Sequence, residues 1–394
     1  MQVSASHHDP ELRCCGRERL PVVGKPGQEV GGLTTLLEFS QQTRQNADLL
    51  RRSRALETFA RFPIGMPLPR ARIAVASQIA GLRSALEARG LVGLRWVDPT
   101  AIDVAELSDC EVLVGEPSLC APLVDKMPRL KWMQSTFAGC NPLLDVSKRD
   151  YVVTRCAGFF GPDMAEYAAG HVLALEREFR VQAERQERAE WVGARQGGGN
   201  YRRLPTLTLG VLGLGDIGTV VARTFSQGFG MTVLGCKRRP ASSDGSDAAG
   251  VAGVRTIYPI EELGDFLSRC DYIVSVLPST PATRGLLDGE VLAACAPKKA
   301  TLLNVGRGDL LSEATILRAL EQGWLRHYVG DVFVPEPLPP TSALWAHPHV
   351  TVTAHVSAVT QPSDVVDVLT DNLARYEEGG AEALRFVFDW ESGY

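Results

Sequence analysis

The chain has no apolar run approaching the roughly 18 residues a membrane span needs. It has no C-x-x-C pair, and its nine cysteines are odd in number and scattered apart from the adjacent Cys14 and Cys15. That argues against a zinc ribbon and against a disulfide framework, so the thiols are expected to be reduced and intracellular. Residues 1–30 lack an apolar core of the kind a secretory signal carries. Their four basic and four acidic residues fit a mitochondrial transit peptide poorly, and a cytoplasmic location is expected. There is no excess of positive charge either. The net charge of −5 argues against a general polyanion binder, and neither nucleic acid nor membrane is expected as a partner. Metal is not expected: His347, His349 and His355 have no nearby cysteine and no helical H-x-x-x-H spacing.

What remains is the composition of a soluble globular protein, 45% hydrophobic and 22% charged, and 394 residues allow two domains of ordinary size. Residues 1–65 read as a partly helical extension, with a helix over 36–62. From Arg72 short apolar runs alternate with helical segments. Strands are expected over ARIAVAS, CEVLVG, RLKWMQST and YVVTRCAG, with a helix over GLRSALEARG. One long helix is expected over residues 162–191, its acidic Asp163 in the first turn. Its charged second half is expected to leave the core. Gly197, Gly198 and Gly199 read as a linker rather than a phosphate cradle, since no strand precedes them. A second series of strands follows: LTLGVLG, MTVLGC, DYIVSVLP, ATLLNVG, HYVGDVF and HVTVTAH. Helices are expected around 216–228, 260–269, 288–295 and 313–322, and a last one over 363–380. Alternation of this kind gives parallel sheets with helices on both faces, hence two doubly wound α/β domains.

The first strand of the second series leads into LGVLGLGDIG. Gly213, Gly215 and Gly218 form G-x-G-x-x-G between a strand and a helix, a dinucleotide fingerprint in that context. The helix begins with Asp216 and Ile217, and its N-terminal amides suit a pyrophosphate. The next strand normally ends in an acid that holds the adenosine ribose. Here Cys236 stands 18 residues past Gly218, and Lys237, Arg238 and Arg239 follow it. A 2′-phosphate fits three cations and no acid, which points to NADPH, with NADH as the second option.

Three more polar residues fall where strands of this series end: Arg307 in VGRGD, Glu336 in VPEP and His355 in VTAH. Ligands bind at such edges. Reduction of a 2-keto acid needs a cation for the carboxylate, a proton donor for the oxygen and a carboxylate to orient and charge that donor. Arginine, histidine and glutamate supply these.

The motifs LGVLGLGDIG, DYIVSVLPSTPATRGLL, LLNVGRGDLL, GDVFVPEPLPPTSALW, HVTVTAH and NLARYEEGG with FDWESGY, in this order over residues 70–394, resemble the D-2-hydroxyacid dehydrogenase family. The resemblance implies a Rossmann cofactor domain, residues 186–357, and a flavodoxin-like substrate domain, residues 66–185 with 358–394. It implies Arg307 as substrate anchor, His355 as general acid and Glu336 as its partner, and the intervals of 29 and 19 residues fit that pattern. It implies cofactor contacts at Leu277, Pro278, Thr283, Val305, Gly306, Arg307, Asp331, His355 and Ser357, with Asp331 near the nicotinamide carboxamide. It implies that Phe137, Ala138 and Gly139 hold the substrate carboxylate, and that the protein is a homodimer. Two features depart from the pattern. Ala354 replaces a usual proline, and Phe137, Phe159 and Phe160 either shape a pocket for apolar 2-keto acids or crowd it in favour of small ones. The expected function is NADPH-preferring reduction of 2-keto acids such as glyoxylate or hydroxypyruvate. The alternative is a nucleotide-sensing interaction protein of the corepressor type on the same fold.

Overall fold

A computed structural model describes residues 72–98, 107–238, 251–391 and 393–394. The expected extension over residues 1–65 lies outside them, as does Arg239.

The two series of alternating elements form two parallel sheets. The first contains β1 (Ile73–Ala76), β2 (Arg95–Trp96), β3 (Val112–Gly115), β4 (Trp132–Ser135) and β5 (Val152–Thr154), in the spatial order β2-β1-β3-β4-β5. The second contains β6 (Thr208–Leu212), β7 (Thr232–Lys237), β8 (Thr256–Pro259), β9 (Tyr272–Ser275), β10 (Ala300–Asn304), β11 (Leu325–Gly330) and β12 (Val350–Val352), in the order β12-β11-β10-β9-β6-β7-β8. All pairings between these strands are parallel. The central strands are buried along their whole length, as strands covered on both faces must be. In the second sheet the chain leaves β6 toward β7 and β8, then returns to build β9 through β12 on the other side. The crevice at the carboxyl ends of β6 and β9 is therefore a switch point, where open sheets of this kind hold ligands.

Eight α-helices are described: α1 (Leu82–Ala88), α2 (Pro117–Val124), α3 (Phe160–Glu176), α4 (Phe179–Glu187), α5 (Asp216–Arg223), α6 (Leu263–Ser268), α7 (Glu313–Glu321) and α8 (Pro362–Gly379). Two of them cross between the sheets. Ala165, Ala168 and Val172 of α3 pack with Leu209, Val211 and Val274 of the second sheet. Val365, Leu369 and Leu373 of α8 pack with Val75, Val114 and Trp132 of the first. Pro362 at its first position and a reciprocal Gln361–Asp364 cap start α8 sharply. Asn372 of α8 then donates to Gln134 of β4 at 2.9 Å, inside the core.

Three expectations need correction. The helix over 162–191 is broken: Glu178 adopts a left-handed conformation, φ 52°, between α3 and α4. Glu176 is pinned in the core by Arg202, Tyr272 and Arg326. The following segment buries no residue, so no packing holds it on the same axis. The helix expected near 288–295 is only a 3₁₀ turn, Val291–Cys295, with Leu292 and Cys295 buried three residues apart as a threefold turn requires. Finally, β2, β8 and α2 were not foreseen, because β2 is two residues long, β8 is a half-exposed edge strand ending in Pro259, and α2 contains Pro117 and Pro122.

Candidate active site

A cavity of about 740 Å³ opens where the loops after both sheets meet. Arg307, Glu336 and His355 all line it, with Phe137, Ala138 and Gly139 from the first sheet and Ile217, Leu277, Pro278, Val305 and Gly306 from the second.

Local folding explains how Arg307 reaches this place. Strand β10 ends in buried Asn304, whose amide donates to Arg307 O at 2.9 Å and whose side-chain oxygen accepts from Gly306 N at 3.3 Å. Neither neighbouring glycine tolerates a side chain. A Cβ at Gly306 would strike Leu277 O, and one at Gly308 would strike the Phe333 backbone. The V-G-R-G run is thus pressed between two other loops, and the arginine alone projects. Its Nη2 lies against Gly139, where a Cβ would collide with it. Burial lowers Arg307 from its ordinary pKa, opposed by Tyr394, Glu336 and Asp309.

His355 follows β12 with φ 54°, a conformation uncommon outside glycine but more frequent for histidine than for most residues. The loop is held by Asp331, which is 1% exposed. The Asp331 carboxylate accepts from Thr353 Oγ1 at 2.5 Å and from the amides of Val356 and Ser357 at 2.9 Å each. His355 N also donates to Asp331 O at 2.8 Å. Burial would raise the Asp331 pKa, but the bonds from Ser357, Thr353 and Val356 outweigh it and hold the group below the ordinary carboxylate value. Asp331 and Ser357 therefore brace the histidine loop, and the Asp331 side chain is committed to it.

The imidazole is thereby aimed at Glu336, with Nδ1 2.8 Å from Oε2. The other carboxylate oxygen accepts from Phe333 N at 2.9 Å. Burial tends to raise Glu336, and the hydrogen bonds from His355 and Phe333, with Arg307 nearby, lower it below its ordinary value. Both side chains of the pair are more than a third exposed. At that exposure an ion pair contributes about 1 kcal/mol or less to stability, so folding alone does not account for it. His347 and His349 lie away from it, their rings 6.0 Å apart. No group of three or more histidine, cysteine or acidic residues suited to a metal occurs among the described residues.

The glycine loop lies at the switch point. Gly213 has φ 101°, and a Cβ at Gly218 would strike the Gly213 carbonyl, so β6 and α5 can approach only with glycine there. A Cβ at Gly215 would meet nothing within 4 Å, which leaves its backbone open to a ligand. These features fit a dinucleotide pyrophosphate at the start of α5. Asp216 accepts from Gly158 N at 3.0 Å and so ties this loop to the segment before α3. Ile217 reaches the cavity. Thr283 is spent locally, donating to Pro278 O at 2.6 Å and accepting from Thr280 N at 2.8 Å.

At the end of β7, Cys236 is fully buried among Leu212, Leu234 and Phe266. Burial, with Glu261 nearby, pushes its thiol up to about 12, so it remains protonated and offers no negative charge. Lys237 is half-buried and Arg238 exposed. Phe160 is buried in the cavity wall against Phe159, with ring centroids 4.1 Å apart, whereas Phe137 is 42% exposed at the cavity. Ser279, Arg284, Asp309, Val334, Val359 and Tyr394 also line the cavity. Sequence reasoning passed over them, although Ser279 and Arg284 fall inside a motif it singled out and Tyr394 closes another.

Comparison with known proteins agrees with this arrangement. The family model described as D-isomer specific 2-hydroxyacid dehydrogenase, NAD binding domain, matches residues 169–357. The glyoxylate/hydroxypyruvate reductase A of Serratia proteamaculans is 33% identical over 264 residues, covering 65% of this chain and 79% of that protein. A D-isomer specific 2-hydroxyacid dehydrogenase family protein from Aeromonas salmonicida superposes with a TM-score of 0.71 at 35% identity, over 81% of this chain and 99% of the other. The NADPH-dependent glyoxylate/hydroxypyruvate reductase of Sinorhizobium meliloti, solved with NADP and sulfate, gives a TM-score of 0.70 at 27% identity, over 82% of this chain and all of the other (100%). With this fold, this nucleotide-binding domain and these relatives, the chain belongs to the D-isomer specific 2-hydroxyacid dehydrogenase family and is an NAD(P)-dependent oxidoreductase.

Proposed function

We propose that this chain reduces 2-keto acids of the glyoxylate and hydroxypyruvate class to D-2-hydroxy acids, with NADPH preferred over NADH. The observation that carries the reading is the His355–Glu336 contact of 2.8 Å in the same cavity as Arg307. NADPH, when bound, supplies the hydride that reaches C2 of the keto acid. His355 supplies the proton that completes the new hydroxyl, from the ring nitrogen not engaged by Glu336. Glu336, kept ionised, accepts from Nδ1 and so orients the ring, leaving the other nitrogen for the substrate oxygen. Arg307 presents a planar two-pronged donor to the substrate carboxylate and carbonyl oxygen. Gly139 and its neighbours Phe137 and Ala138 line the substrate side of that guanidinium. The same reading takes residues 66–185 with 358–394 as the substrate domain and residues 186–357 as the cofactor domain.

The preference for NADPH rests on β7, where a neutral, buried Cys236 stands in the acid's place and cations follow. The Sinorhizobium relative is described as NADPH-dependent. Initial rates with glyoxylate and hydroxypyruvate, taken with NADPH and NADH in parallel, test both parts. The parent is expected to favour NADPH. Arg238→Ser with Arg239→Ser is expected to weaken NADPH by roughly tenfold to a hundredfold, the range for losing charged hydrogen bonds, and to leave NADH nearly unchanged. Equal losses for both cofactors would contradict the assignment, and no oxidation with any keto acid would contradict the reductase reading.

A further inference from the structure

The described residues 388–391 are tied to the first sheet, and Gly393 and Tyr394 lie back toward the cavity. Phe388 N donates to Val153 O at 2.8 Å, and Trp390 stands edge-on to Tyr151 at 5.8 Å with the Arg149 guanidinium 4.3 Å above it. Beyond Trp390 the chain doubles back. Asp389 N donates to Tyr394 O at 3.1 Å, and Gly393 N donates to Asp389 O at 2.9 Å. A Cβ on Gly393 would lie 3.9 Å from both Leu144 Cδ1 and Ser279 O, so the turn is seated between loops of the two sheets. The result is that Tyr394 lines the cavity that contains Arg307, Glu336 and His355. Its ring is braced by a cation. The Arg155 guanidinium lies 4.0 Å from the ring centroid, and Arg155 Nε is buried with no hydrogen-bond partner. A cation held in this way turns the face of an aromatic ring into its principal neighbour and fixes the ring's orientation. The ring is large, has few rotatable bonds, and lines the same cavity as Arg307, Glu336 and His355.

We propose that Tyr394 is a specificity-determining residue: its ring, braced by Arg155, is the wall that limits the length of the 2-keto acid side chain the cavity admits. This rests on the reductase reading above. Volume at one position of a pocket discriminates substrates that differ by a few carbons, and removing it relaxes the discrimination without touching the groups that move the proton.

The test compares the parent with Tyr394→Ala, Tyr394→Phe and Arg155→Met. Two ratios are read. One is kcat/KM for 2-ketoisocaproate over glyoxylate. The other is the binding constant for N-isobutyl oxamate over oxamate, by calorimetry with NADPH present. Tyr394 is 40% exposed, so its truncation is expected to leave the protein folded, which circular dichroism checks. Tyr394→Ala is expected to shift both ratios toward the larger compound by about tenfold or more. Arg155→Met is expected to shift them less, and Tyr394→Phe to keep the parent's values. A Tyr394→Ala protein with the parent's ratios would overturn the proposal. So would a Tyr394→Phe protein that shifts as far as Tyr394→Ala, because the hydroxyl and not the ring would then be the determinant. A parent that binds both oxamates but reduces neither keto acid would count against the reductase reading alone, and the binding ratio would still decide the role of Tyr394.

Discussion

Glu336 receives two donors, Phe333 N on one oxygen and His355 Nδ1 on the other, and sits near Arg307. Burial works against the charge and these neighbours work for it, with a net lowering of its pKa. The carboxylate is therefore ionised at neutral pH and accepts from the ring of the proposed proton donor. Glu336→Gln keeps the shape and removes the charge. It is expected to lower kcat by roughly tenfold to a hundredfold, less than the roughly 10² to 10⁴ that a positioned acid contributes, because the ring itself remains. A kcat within a few-fold of the parent's would mean that the charge of Glu336 is not needed. At this scale much was legible in the sequence. Arg307, Glu336 and His355 each close a strand-to-loop motif, and local backbone chemistry carries them to the sheet edge. The commitment of Asp331 to Thr353, Val356 and Ser357 was not legible, because it depends on how the loop after β12 curls over the end of β11. Nor was the place of Tyr394, which depends on a segment turning back between two sheets.

At the scale of elements, the two crossing helices show what periodicity does and does not reveal. Apolar spacing in α8 identified the helix, and the fold places it against the first sheet. In α3 the same signal overran the true end, because charged residues past Glu176 still suit a helix. What ends α3 is a buried carboxylate. Glu176, 3% exposed, is held by Arg202, Tyr272 and Arg326 near the amino ends of β6 and β9. Burial raises its pKa, and the bonds from Arg202 and Tyr272, with Arg326, lower it further than burial raises it. Removing the charge weakens the bonds from Tyr272 and from Arg202 and Arg326, which are 35% and 43% exposed and so partly solvated. Glu176→Gln is expected to cost about 2 kcal/mol in urea unfolding at neutral pH. The group's folded pKa lies below its ordinary 4.5, so its contribution is complete above that value and is lost as pH falls through the lowered one. The gap between parent and variant should therefore narrow in acid. A gap that persists unchanged at low pH would assign the loss to packing instead of charge.

For the whole molecule, strand–helix alternation was enough to read two parallel sheets, since only that arrangement buries strands apolar on both faces. The edge strand β8 and the two-residue β2 escaped because neither carries a buried run. The cavity follows from the architecture: carboxyl ends of the second sheet face loops of the first, and each contributes groups the other lacks. Arg307, Glu336 and His355 come from one side, the Phe137–Gly139 loop from the other. On the proposed function, this shared cavity reduces a 2-keto acid by proton donation from His355. The most direct measurement is kcat for glyoxylate reduction by His355→Ala, with the NADPH dissociation constant determined on the same preparation. A fall in kcat of about 10² to 10⁴ is expected, the contribution of a positioned acid, with NADPH affinity nearly unchanged. A kcat within a few-fold of the parent's would contradict it.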